Sequence, residues 1–160
     1  MSVIHNASLT IEDVSPFTVR ARVKYLVAQF PPEYWAGTVY YEEIHLIGDD
    51  APFNPAAPSG TDIVVAAFTP QYISNHPIVV PPRFYFERER VLIVAKNALN
   101  EDPGFTALGF PKPDEIFARI TLKYVANVPF PLAAAAMSPF PTTPPTVAAT
   151  AQTNTVTGTW

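Results

Sequence analysis

Residues 17–27 read F-T-V-R-A-R-V-K-Y-L-V, and the order of side chains in this stretch decides the fold. Phe17, Val19, Ala21, Val23, Tyr25 and Val27 take the odd positions, while Thr18, Arg20, Arg22 and Lys24 take the even ones. Successive side chains of a β-strand point to opposite faces, so the stretch predicts a strand with one face in a core and the other in water. Ile116, Ala118, Ile120, Leu122 and Tyr124 alternate with Glu115, Arg119, Thr121 and Lys123 in the same way. A weaker alternation covers 3–11, and strand-compatible runs occupy 38–47, 61–69, 78–80 and 83–96.

Nineteen prolines and only six glycines punctuate the chain. Proline lacks a backbone donor and breaks helix interiors, so segments bounded by Pro31-Pro32, Pro52, Pro55, Pro58, Pro70, Pro77, Pro81-Pro82, Pro103, Pro111 and Pro113 cannot join into long helices. No window sustains an apolar period of 3.6 residues. The expectation is an all-β, two-sheet antiparallel β-sandwich, jelly-roll or immunoglobulin-like, with long loops over 48–60 and 97–113.

Two of the expected strands break their own pattern. Over 38–47 the apolar set moves from odd (Val39, Tyr41) to even positions (Ile44, Leu46) across Glu42-Glu43, which predicts a β-bulge there, since a slip of one residue reverses every side chain. In Phe84, Phe86, Arg88, Arg90, Leu92 and Val94 strict alternation would send two arginines into the core. An unpaired buried charge is costly, so the expectation is a bulge or kink at 87–90, or a strand whose charged middle overhangs the sheet.

At 160 residues the chain is expected to fold as one domain of ordinary size, and with no cysteine it has no thiol nucleophile, no thiolate metal site and no disulfide. A formal net charge of −4 argues against nucleic acid as the main partner, because phosphate binding needs a basic surplus. The N-terminus has no basic and apolar leader pattern. No run approaches the length of a membrane span, so no membrane role is expected.

Constellations that carry chemistry are sparse. His5, His45 and His76 lack ligand spacing. Asp49, Asp50, Asp62, Glu101, Asp102, Asp114 and Glu115 include no Ca²⁺-loop motif and read as solvated turn carboxylates. There is no G-x-S-x-G and no glycine-rich phosphate loop. Glu42-Glu43 and the Glu87/Glu89 pair read as partners of basic residues on adjoining strands, Arg20, Arg22 and Lys24 above all. No enzyme, catalytic residue, cofactor or metal is expected. Pro31-Pro32-Glu33-Tyr34-Trp35 places two large rings in a turn: Tyr34 and Trp35 are candidate ligand-stacking residues, with a cap over the core as the alternative.

The other anomaly is the tail. Residues 124–160 contain no Asp, Glu, Lys or Arg, and P-F-P occurs twice, around Phe130 and Phe140. Proline-rich chain is stiff and extended, so docking it loses little entropy. Further on, Thr153, Thr155, Thr157 and Thr159 alternate with Asn154, Val156, Gly158 and Trp160, a pattern able to add as a strand to a sheet edge. The expected organisation is a sandwich domain over 1–126 and an extended Pro/Ala/Thr-rich interaction arm over 127–160, with Phe130, Phe140, Val156 and Trp160 binding a partner.

Together these features predict a non-enzymatic structural assembly protein. The expected setting is a virion assembled in host cytoplasm, as a capsid, capsid-decoration or tail protein that binds itself or other structural subunits and forms homo-oligomers. A carbohydrate- or receptor-binding module, or a subunit of a non-viral extracellular surface filament, is the alternative.

Overall fold

A computed structural model describes residues 2–48, 63–74, 83–100, 108–110, 113–127 and 146–160. The described strands are β1 (Val3–Asp13), β2 (Thr18–Ala28), β3 (Thr38–Gly48), β4 (Ile63–Ala67), β5 (Gln71–Ser74), β6 (Tyr85–Ala95), β7 (Asp114–Asn127), β8 (Thr146–Gln152) and β9 (Val156–Gly158). Among the described residues two short helices, α1 (Pro31–Trp35) and α2 (Lys96–Leu99), follow β2 and β6. One sheet has the order β1-β2-β6; in the other, β4 and β5 share one side of β3, β7 lies on its far side, and β8 and β9 share the outer side of β7. All pairings among the described strands are antiparallel. The chain is all-β, as its alternation indicates.

The core lies between the sheets. Val19, Ala21, Val23, Tyr25 and Val27 of β2 face Ile116, Ala118, Ile120 and Leu122 of β7, with Leu9, Tyr40, Ile44, Leu46 and Ile73 in the same cluster. Each buried Val, Leu or Ile contributes on the order of 1.5–3 kcal/mol, which fixes the register of both central strands. Phe17 departs from the expected alternation: it precedes β2 in a turn where the Ser15 hydroxyl accepts from its amide, and it is 79 % exposed. Tyr124 is exposed as well. The register of β3 on β7 shifts at Val39/Tyr40, and the facing residues pass from Ala126 to Tyr124.

The expected bulges do not form where the sequence placed them. β3 carries no register shift at Glu42-Glu43; its irregularities are at Val39/Tyr40 against β7 and at Leu46/Ile47 against β4. β6 pairs with β2 without interruption from Tyr85 to Ala95. The local signal failed because Glu42 and the two arginines face one another across the core and satisfy each other. The one bulge in β1 lies between His5 and Ser8, where Asn6 and Ala7 oppose Tyr25, and Asn6 takes a left-handed φ of 52°. A strand over 78–80 falls outside the described residues, while β5 at Gln71–Ser74 was not anticipated.

Candidate functional site

The sequence singled out three places: the inward arginines of β6, the Tyr34-Trp35 turn and the tail. At the first, alternation on β6 sends Arg88 and Arg90 inward, and alternation on β3 sends Glu42 to meet them from the opposite sheet. Glu42 is fully buried, and the Arg88 and Arg90 side chains are 25 % and 12 % exposed. Arg88 Nε donates to Glu42 Oε1 at 3.1 Å and Arg88 Nη2 to Oε2 at 3.4 Å, while Arg90 Nη1 donates to Oε2. The Tyr25 hydroxyl donates to Oε1.

Outward of the carboxylate, Arg88 Nη2 reaches Gln71 Oε1 at 3.2 Å and Arg90 Nη2 the Thr69 carbonyl at 2.8 Å. Arg90 also lies 6.0 Å from the centre of the Phe68 ring. Burial, the Glu42 charge and the hydrogen bond to it all raise the Tyr25 pKa. Burial pulls the Arg88 pKa down, but the hydrogen bond and charge of Glu42 outweigh it and leave the value raised. The cluster locks the two sheets together, and its buried carboxylate spends its oxygens on structural partners. Elsewhere, Glu89 pairs with Arg22 at 2.9 Å and Lys24 at 3.3 Å, and Glu43 with Lys123 at 2.8 Å.

The Tyr34-Trp35 turn is α1, which ends at Gly37 with φ 65°, a left-handed position that favours glycine. Glu33 Oε2 accepts from the Phe30 amide and the Ser2 hydroxyl, both at 3.0 Å. Partial burial raises its pKa, but these bonds dominate and hold it below the ordinary carboxylate value. Tyr34 is buried, edge-to-face with Phe84 and Trp35 at 5.3 and 5.0 Å between centroids. Trp35 and Phe30 are both exposed, at 58 % and 51 %.

The tail folds onto its own domain. β8 pairs with β7 from Arg119↔Gln152 to Tyr124↔Thr146, and β9 pairs with β7 from Asp114↔Gly158 to Ile116↔Val156. Between the two strands the ladder is kept by side chains. The Thr153 hydroxyl accepts from the Ala118 amide at 2.8 Å, and the Thr153 amide donates to the Ala118 carbonyl at 3.0 Å. Asn154 turns the other way and copies a backbone pairing on β1: Oδ1 accepts from Leu9 N at 2.9 Å and Nδ2 donates to Leu9 O at 3.2 Å. Residues 153–154 thus stitch the open edge of β1 to β7.

Val156 and Trp160 pack against the core and Thr155, Thr157 and Thr159 stay exposed, but the expected two-face pattern fails at its start, where Thr153 is buried and Asn154 exposed. Trp160 lies over Gly158 so closely that an added Cβ would meet its ring at 2.3 Å. It closes one side of a cleft of about 440 Å³ shared with Phe17, Lys96, Asn97 and Asn100. For Val156 and Trp160 the surface in contact is therefore this chain's own β7 and core. Phe130 and Phe140 lie outside the described residues, as do Asp49, Asp50, Asp62, Glu101, Asp102 and His76. Asp114, expected in a solvated turn, is instead buried at the start of β7.

Sequence reasoning missed β8 and the Thr153-Asn154 stitch. The inward residues of β8 include Ala149 and Ala151, and alanine gives little alternation signal. The chain matches no family model, no curated protein and no solved structure.

Proposed function

We propose that the chain is a non-enzymatic structural subunit that assembles with copies of itself. The observation that carries this reading is the strand-forming tail: after residue 127 the sequence runs through eighteen residues with six prolines and then supplies a strand to the edge of β7. A long connection ending in an edge-adding strand is the equipment of a protein that laces itself to neighbours. The outer face of the β1-β2-β6 sheet adds to it. Val91 and Ile93 are exposed there two positions apart, registered beside Arg22 and Arg20, an apolar pair open to protein contact.

Of the two sandwich types, the strand order favours the immunoglobulin-like one, because β1-β2-β6 and β4-β3-β7-β8 correspond to the A-B-E and C′-C-F-G sheets of such domains. Placement in a virion, as a capsid, decoration or tail component, rests on architectural analogy alone. Sedimentation of the purified full chain over a range of concentrations tests the reading. Reversible growth into larger species that resists added salt is expected, since the tail carries no charge to screen. A strictly monomeric boundary at every concentration would contradict it. Exposed Trp35 favours a second reading, a glycan-binding module, which predicts glycan binding that Trp35→Ala abolishes without loss of fold.

A further inference from the structure

We infer that in the assembled state residues 146–158 leave their own sheet and complete the sheet of a second copy of this chain, pairing with its β7 and stitching its β1 through Asn154. The inference rests on the assembly reading above and names the receiving surface. Tyr124 and Thr146 are directly paired across the β7–β8 ladder, yet twenty-one residues separate them in sequence. Adjacent antiparallel strands need a connection of only about 2–5 residues. Residues 128–145 are eighteen in number, several times that need, and a chain of this length can span up to about 60 Å, enough to reach the sheet of a neighbouring copy.

The receiving surface is specific without depending on which copy provides the strand. Thr153 satisfies both backbone groups of Ala118, and Asn154 satisfies both of Leu9. Val156 and Trp160 pack on the core. Every one of these contacts is available identically on a neighbour, so exchange preserves the interface and replaces only the connection. In a dilute monomer the tethered strand has a high effective concentration and stays in its own sheet; at the local concentrations of an assembly the neighbour's edge competes.

The chain has no cysteine, so introduced thiols report the pairing without interference. Thr121 and Thr150 are directly opposed on β7 and β8, within the Cα separation a disulfide accepts. The full chain carrying Thr121→Cys and Thr150→Cys is oxidised once as dilute monomer and once after assembly, and both are run on denaturing, non-reducing gels. Ala28→Cys with Tyr85→Cys, opposed on β2 and β6, serves as the control that stays within one chain. The monomer should give an intrachain link and the assembly a ladder of covalently joined chains, while the control gives none. Assemblies linked only within chains would overturn the exchange and leave the assembly reading standing. Absence of assembly would overturn both, and a monomer that fails to crosslink would overturn the register from which the exchange is argued.

Discussion

Glu42 is the residue on which the two sheets meet. A carboxylate with no exposure, held by two guanidinium groups and a phenol, is stable only while its partners remain, because breaking a buried pair leaves an uncompensated charge. Glu42→Gln should therefore lower unfolding stability by about 3 kcal/mol, at the lower end of the range for buried pairs because the arginine tips reach solvent. Replacing Glu42, Arg88 and Arg90 together by methionine should recover most of that loss, and urea unfolding of the two variants checks it. The single change being the milder one would show that the cluster is not an energetic unit.

The same contact makes stability depend on alkaline pH. Burial, first of all, holds the Tyr25 proton, and burial does the same at Tyr40, so both folded values are raised. The unfolded chain then gives up its tyrosine protons first. This contribution is complete below about pH 10, the ordinary tyrosine value, and is lost as pH rises beyond it. Tyr25→Phe should flatten the alkaline decline in urea midpoint without abolishing it, since Tyr40 remains. An unchanged slope would remove Tyr25 from the account.

Among the elements, β2 and β7 were legible in the sequence because one face of each is buried and the other wet. The β3 and β6 anomalies were also visible, but as two separate faults. Local alternation describes one strand at a time, and the partner that makes Arg88 and Arg90 tolerable lies on a strand of the other sheet, more than forty residues away in sequence. Of the tail, the alternation around Val156 and Trp160 could be read; β8, built on alanines, could not. Trp160 seals this last element over Gly158, where no Cβ fits. Gly158→Ala should displace the ring and shift its fluorescence to the red, read in a Trp35→Phe background because Trp35 and Trp160 are the only tryptophans. An unshifted spectrum would mean that the ring does not rest on Gly158.

At the scale of the whole molecule, the account depends on residues 146–158 being strands of the sheet and not a loose terminus. A neutral, alanine- and threonine-rich terminus ordinarily frays, yet here residues 146–158 hold the outer side of β7 and, through Asn154, the edge of β1. Amide hydrogen exchange in the dilute full-length protein tests this most directly. The account predicts that 146–152 and 156–158 exchange with protection comparable to that of β7, and that the Leu9 amide loses protection in Asn154→Ala. Exchange of both segments at the rate of an unstructured peptide would contradict it.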